Sequence, residues 1–319
     1  MMSIRQRLSP ALAALAALAA ALLPSIARAD EPATPPEAAS PAEGATPPAM
    51  DAAPDAAAVG EPSSSGAAAD AVPAPVATEG APPAHTKTVD IGGAYSSLTN
   101  GYGTWQSVTG RLVYEPEAGN TSYAEVSLAR EFSENGAIVS LGHVHELAQL
   151  WIISGFVTLG GGGDFEPRVK GDLSLGRKLL ADQSLIATIG VSADHFKDGH
   201  SDKALLTSLA WYGIPLWVIE GGIRFNWSNP GDVAGRRYWL ASTWGREGHD
   251  FVVVRGETGN ESYQIIGAGQ PLVDFNSELL SLTWRHWLRP DRGFVVGGEV
   301  YHNPAYDRYT ISAAAFFQF

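Results

Sequence analysis

One predicted loop holds several side chains of the types that catalyse reactions. Asp194-His195 and the run 198–202 (Asp-Gly-His-Ser-Asp) place acid, imidazole and hydroxyl groups close together, as a hydrolase would need. A catalytic triad is defined by the geometry of its roles, which neighbouring residues on one loop do not supply. We therefore interpret this segment as a solvated turn and expect no enzyme, although a hydrolase is retained as a third hypothesis.

Two further clusters could bind a ligand. His143 and His145 lie two residues apart, which puts both on one face of a strand where they could share a metal ion, but no third ligand is evident. The glycine run 160–163 lacks the Gly-Lys-Ser/Thr ending of a phosphate-binding loop. We expect no metal and no cofactor.

Composition narrows the possible classes of protein. The chain has 319 residues, no cysteine and a formal net charge of −13. An acidic chain without a basic face argues against nucleic acid as a partner. The absence of cysteine excludes a disulfide framework, a thiolate metal site and a lipid-anchored cysteine.

The first 29 residues have the pattern of a secretory signal peptide. Arg5 and Arg7 precede an apolar stretch from Ala11 to Leu23, and Ala27-Arg28-Ala29 gives a small-x-small cleavage site. The apolar stretch is shorter than the ~20 residues of a membrane-spanning helix, which is the alternative. The mature membrane form is predicted to begin at Asp30, which N-terminal sequencing checks, and a mature protein that retains Met1 would rule out the signal peptide.

Residues 30–86 are predicted to be a disordered, periplasmic linker. This segment contains nine acidic residues, no lysine or arginine and no aromatic residue, and it is rich in alanine and proline. It has too little bulky apolar surface to offset the entropy of ordering, and its prolines interrupt any long helix. Either a spacer function or an unselected leader is compatible with this composition.

From residue 87 to the C-terminus the apolar residues alternate with polar ones. In Trp217–Trp227, for example, Ile219 and Ile223 fall on one face, and Glu220 and Arg224 fall on the other. This period of two is typical of β-strands. We count fourteen such segments, although twelve are also compatible with the pattern, near 88–98, 104–115, 121–132, 136–146, 150–160, 167–178, 184–196, 202–212, 214–228, 236–246, 249–257, 275–288, 293–303 and 305–319.

Strand length, aromatic positions and connection lengths favour a transmembrane antiparallel β-barrel at 87–319 over a soluble β-sandwich or barrel. About 9–11 tilted residues cross a bilayer, and membrane barrels carry aromatic girdles near strand ends and longer connections at one end. The longest predicted loop covers about 258–274, and turns are predicted at Asn100-Gly101 and Asn135-Gly136 among others. The aromatic residues expected near strand ends are Trp105, Tyr114, Phe132, Trp151, Trp211, Trp217, Trp227, Trp244, Trp284, Trp287, Tyr309 and Phe319.

The last residue, Phe319, ends an alternating strand, which is the C-terminal signature of bacterial outer-membrane proteins. We interpret it as an assembly signal. The predicted location is the bacterial outer membrane, and the predicted partners are its lipid and the barrel-assembly machinery.

Several landmarks together resemble one family, the YaiO-like outer-membrane β-barrels. They are the segment 92–98 (Gly-Gly-Ala-Tyr-Ser-Ser-Leu) with Gly101 and Trp105, then Arg130-Glu131-Phe132, Glu166-Pro167-Arg168, Trp284 with Trp287, and the closing segment 308–319. The resemblance covers 88–319 and implies a barrel in the outer membrane, with a suspected role near exopolysaccharide export or biofilm formation. A Pro/Ala-rich linker here replaces the periplasmic helical repeats of dedicated polysaccharide porins, which weakens the export interpretation.

The polar face of the predicted strands carries charges of both signs. The residues predicted to line the lumen are Arg111, Glu115, Glu125, Arg168, Lys170, Asp172, Glu220, Arg224, Arg285 and Glu299, with Asp90, Glu131, Lys178 and Asp194 on the same face. Such walls either guide a solute or exopolysaccharide through a channel or pair internally in a structural or surface-interaction barrel without transport. The sequence leaves both hypotheses open.

Overall fold

The computed structural model describes residues 86–147, 150–197, 199–266 and 271–319, so the predicted signal peptide and nearly all of the linker lie outside the described residues. No helix in these ranges is long and apolar enough to cross a membrane. The described chain forms fourteen strands: β1 (Lys87–Leu98), β2 (Thr104–Glu117), β3 (Asn120–Glu131), β4 (Glu134–Leu147), β5 (Trp151–Gly162), β6 (Pro167–Leu179), β7 (Leu185–Phe196), β8 (Ser201–Ile214), β9 (Trp217–Asn229), β10 (Val233–Gly245), β11 (Asp250–Ile265), β12 (Pro271–Arg289), β13 (Arg292–His302) and β14 (Asp307–Gln318).

The strands form one closed antiparallel barrel. Each strand pairs with its neighbour in sequence, and β1 pairs with β14 in a register that places Gly92 opposite Ala314. Closure leaves no unpaired sheet edge, which is what a bilayer requires of a β-structure. The prediction of fourteen strands is therefore confirmed. We call the end that contains Lys87 and Gln318 the terminal rim and the opposite end the distal rim.

The outer wall is apolar. Leu141 and Leu240 are 60% and 61% exposed, and large aliphatic residues alternate outward along most strands. Outward aromatic residues lie near both rims, with Trp151, Trp217 and Trp244 at strand ends of the terminal rim and Trp227 and Tyr309 towards the distal rim, and this agrees with two membrane girdles.

Three of the predicted girdle residues instead face the interior. Trp105 and Trp287 are 4% and 8% exposed, and the ring of Phe132 packs against that of Trp105 at 4.9 Å. Proximity to a strand end was the basis of their assignment, and it does not distinguish the two faces of the strand. These residues are part of the barrel's internal packing.

The connections differ from the prediction in two places. Most of the predicted loop at 258–274 is strand, because β11 and β12 continue to Ile265 and from Pro271. The turn predicted at Asn135-Gly136 lies at Phe132-Ser133, where both residues have positive φ. Gly136 belongs to the ladder, and a Cβ there would lie 2.7 Å from the ring of Phe165, so this glycine permits close packing and does not form the turn.

Phe319 closes the barrel seam at the terminal rim. Its backbone N–H donates to the carbonyl of Lys87 at 2.9 Å, and its carbonyl accepts from the N–H groups of Thr86 and Lys87. Deleting Phe319 is expected to lower the folded, heat-modifiable fraction while secretion continues, because it removes these bonds and the terminal ring. Phe319→Tyr is the control, since it keeps the backbone and most of the ring. An unchanged folding yield after deletion would remove Phe319 as an assembly signal.

Candidate functional site

The candidate site is the barrel interior, and alternation along the strands decides which residues face it. Nine of the ten predicted lumen residues lie on the strand side opposite the exposed apolar residues. They are Arg111, Glu115, Glu125, Lys170, Asp172, Glu220, Arg224, Arg285 and Glu299. Arg168 is different, because it is exposed and lies at the register shift between Pro167 and Val169 on β6, where strict alternation fails.

Near the terminal rim, three strands bring one carboxylate between two guanidinium groups. Asp90 lies 3.1 Å from an Arg285 nitrogen and 3.9 Å from the Arg111 Nε. The β1–β2 register places Asp90 opposite Arg111. The guanidinium of Arg285 also stacks on the Phe316 ring at 3.9 Å, so its position is fixed from two sides.

A second charged network joins β10 and β11. Arg237 pairs with Glu257 at 2.7 Å and with Glu261 at 3.6 Å, and Arg255 pairs with Glu257 at 2.6 Å. The guanidinium of Arg255 also lies 4.6 Å from the Trp239 ring centre. None of these residues is among those predicted to line the lumen.

Three further pairs of opposite charge lie on the inward side of the wall. Lys170 lies 4.0 Å from Asp194, Lys178 donates to Glu146 at 2.7 Å, and Arg308 donates to Glu299 at 2.7 Å. In a partly dry interior, such pairs offset the cost of burying each charge. They also restrain the side chains that would otherwise move freely in the lumen.

Small hydroxyl residues cover much of the interior between these networks. Pairs of them bond across neighbouring strands: Ser96 with Thr310 at 2.8 Å, Thr109 with Ser127 at 3.0 Å, Ser140 with Thr158 at 2.8 Å, and Ser154 with Ser174 at 2.6 Å. Each hydroxyl retains further hydrogen-bonding capacity. The surface that these short side chains form is polar without being charged.

At the distal rim, the end of β11 crosses the mouth of the barrel. On one side Tyr263 and Ile265 pack with Phe196 of β7, and the Tyr263 ring lies 5.0 Å from that of His200. On the other side Gln264 donates to the Tyr306 hydroxyl at 2.9 Å. Because β7 and β14 are separated by half the barrel, a segment that contacts both lies across the opening.

We call the structure built around this crossing the distal cap. Its apolar members other than those just named are Leu98, Tyr102, Trp105, Phe132, Ile266, Leu279, Tyr301 and Ala305. Asn303 donates to Gln264 at 2.8 Å, and the Tyr301 hydroxyl donates to Glu261 at 3.1 Å. The cap is therefore held by both ring packing and buried hydrogen bonds.

A buried carboxyl pair lies beside the cap. Glu166, in the connection from β5 to β6, is 4% exposed, and Glu131, at the end of β3, is 5% exposed. Burial, with the negative charge of Glu131, raises the pKa of Glu166 to about 8. At neutral pH the Glu166 side chain is mainly a neutral acid.

The clusters that first pointed to chemistry occupy different places. His200 pairs with Asp202 at 2.7 Å inside the cap. Ser201 lies on the other face of β8, opposite His195 in the strand register, so it does not join that pair. The rings of His143 and His145 lie 6.2 Å apart, and His143 bonds the Ser122 hydroxyl. Within the ranges that the structure describes, no group of three His, Asp or Glu side chains could hold a metal ion.

Comparisons with known proteins give the fold and the family. The CymD monoaromatic hydrocarbon channel has a TM-score of 0.51 and 8% identity, over 74% of this chain and 89% of that one. A structure titled bacterial polysaccharide outer membrane secretin has a TM-score of 0.50 and 9% identity, over 74% and 99%. Omp33 from Acinetobacter baumannii has a TM-score of 0.44 and 11% identity, over 74% and 100%. At these identities the likeness concerns the fold alone. No curated protein sequence matches the chain.

The family model named "YaiO membrane beta barrel domain" matches residues 86–264. This range is more than half of the chain and includes β1 to most of β11, whereas the resemblance noted from the sequence extended to residue 319. The match agrees with the closed barrel, its apolar outer wall and its polar interior. The chain belongs to the YaiO membrane beta barrel domain family.

Proposed function

We propose that the protein is an outer-membrane channel, without enzyme activity, that passes a small polar solute and is held closed by the distal cap. The observation that carries the proposal is the contrast between an apolar outer wall and an interior of hydroxyls and fixed charges. A wall of this kind exchanges hydrogen bonds with a passing solute. The distal rim faces the outside in this proposal, and the linker before β1 lies in the periplasm.

The charge pairs favour a second candidate, a structural or surface-interaction barrel without transport. Pairs such as Lys178–Glu146 and Arg308–Glu299 stabilise a closed wall, and a channel does not need them. The cap lies across the mouth in either case. Exopolysaccharide as the cargo has weaker support, because a polymer would require the whole cap to move aside.

Single-channel recording in planar bilayers separates the two candidates. The Tyr263→Ala/Gln264→Ala variant removes the cap's contacts with His200, Tyr306 and Asn303. We expect rare or small steps from the unaltered protein and larger, more frequent steps from the variant. Leu240→Ala on the outer wall is the control and is expected to leave the conductance unchanged. A cap variant that is folded but electrically silent would favour the structural barrel.

A further inference from the structure

A patch of positive charge lies on the outer wall towards the distal rim. Lys203 of β8 and Arg236 of β10 are both exposed, and alternation places them on the same side as the exposed Leu209 and Leu240. Neither forms an ion pair with a carboxylate in the described part of the chain. Two such cations at the level of the head groups can attract anionic groups of the lipid.

Aromatic rings connect the two cations. The register places Lys203 opposite Trp227, and Arg236 opposite Phe225. The Arg236 guanidinium lies 5.5 Å from the Phe225 ring centre, and Trp227 is 44% exposed. The Arg236 Nη1 also contacts the Tyr238 hydroxyl at 3.5 Å, and the other N–H groups of the guanidinium can bind two oxygens of a phosphate.

The spacing of the cations suits a ligand with two anionic groups. Lys203 and Arg236 are two strands apart and offset by two residues along β9. Strand spacing and rise then put their Cα atoms about 12 Å apart. A disaccharide head group with a phosphate at each end can reach both side chains.

The sign of the outward charges near the distal rim differs between parts of the wall. From β7 to β10 the outward positions carry His195, Lys203 and Arg236 and no acid, whereas on β12 and β14 the outward charges nearest the distal rim are Glu278 and Asp307. Arg130 of β3 is also exposed and outward at this rim, but its register neighbours are Gln106 and Asn135, so no second cation lies beside it. The two neighbouring cations on β8 and β10, without an outward acid on these strands, indicate a site there.

We propose that the outer face of β8–β10 at the distal rim binds the two phosphates of a diphosphorylated glycolipid of the outer leaflet. Arg236 holds one phosphate by a forked pair of hydrogen bonds, Lys203 neutralises the other, and Trp227 packs against the sugar and acyl boundary. The site takes from the proposed function the orientation with the distal rim outside, but because it lies outside the lumen it is independent of whether the barrel conducts.

The test is retention of a defined lipid by the folded protein. The protein is refolded into phosphatidylcholine vesicles containing diphosphoryl lipid A, extracted in detergent, and analysed by native mass spectrometry. We expect a bound lipid A on the unaltered protein and about 30-fold weaker binding to Lys203→Gln/Arg236→Gln, since both anionic contacts are lost. Millimolar inorganic phosphate is expected not to displace the lipid, which distinguishes a lipid site from a phosphate site.

Lys87→Gln/Arg177→Gln is the matched control. These residues are also stacked on rings, those of Tyr114 and Trp151, but they lie at the terminal rim. The control is expected to retain lipid A fully, and heat-modifiability verifies that both double variants fold. Equal retention by the two double variants would overturn the proposal, as would binding of phosphatidylglycerol as tight as that of lipid A.

Discussion

The substitution Leu240→Lys is expected to be among the single changes that most lower the free energy of unfolding of this barrel. Leu240 lies near the middle of β10, points outward and is 61% exposed, which in the bilayer means contact with hydrocarbon. A lysine near the midplane costs about 2–4 kcal/mol of unfolding free energy. Urea titration of the protein in lipid vesicles, with Leu240→Ala as reference, measures this loss.

Two changes in β9 provide the controls for depth and face. Ile219 also points outward but is only two residues from Trp217 at the terminal rim, so Ile219→Lys is expected to cost less, about 1 kcal/mol. Glu220 points inward, and Glu220→Gln is expected to leave stability nearly unchanged and to alter ion selectivity. If Glu220→Gln is as destabilising as Leu240→Lys and has no conductance phenotype, the interior charges serve structure and the channel proposal is wrong.

The substitution Glu166→Gln is expected to remove a large pH dependence of the free energy of unfolding. The pKa of Glu166 is about 8 in the folded protein, raised from 4.5 by burial and by Glu131. Below pH 4.5 the side chain is protonated in both the folded and unfolded states, so the full stability is present. As the pH rises towards and through 8, folding increasingly requires a proton that the unfolded chain has released, and stability falls by about 3–5 kcal/mol in total.

Unfolding titrations at pH 5, 7 and 9 test this expectation. The unaltered protein should lose stability across the series relative to Glu166→Gln, which cannot ionise. Glu134→Gln is the matched control, because Glu134 lies at the same rim, is exposed and bonds the Asp164 N–H. Parallel pH profiles for the unaltered protein and Glu166→Gln would show that Glu166 is charged and hydrated in the folded state.

Much of the barrel follows from the sequence because a strand in lipid has a strict pattern. One face must be apolar over nine or more residues, so alternation locates each strand and identifies its faces, as at Ile219 and Glu220. Turns are less constrained. The two-residue turn at Phe132-Ser133 uses positive φ without glycine, and the contact of Phe132 with Trp105 in the cap offsets that cost.

The distal cap could not be predicted because it depends on a tertiary contact. Glu261, Tyr263 and Gln264 look like residues of a polar loop, and only the crossing of the mouth buries them. The network of Arg237, Arg255 and Glu257 could have been predicted from the sequence. Arg255 and Glu257 lie within the predicted segment 249–257 and alternate with Val254 and Gly256, which is the same pattern that identified Glu220 and Arg224.

A cysteine scan along β9 tests the central claim that the apolar face meets lipid and the polar face meets water. The chain contains no cysteine, so each single substitution at 219, 220, 223, 224 or 225 reports on its own position. With the protein in vesicles, positions 220 and 224 are expected to react with a water-soluble maleimide, and positions 219, 223 and 225 are expected to be protected and quenched by nitroxide-labelled lipid. Reactivity without a period of two, or with its phase reversed, would contradict the account.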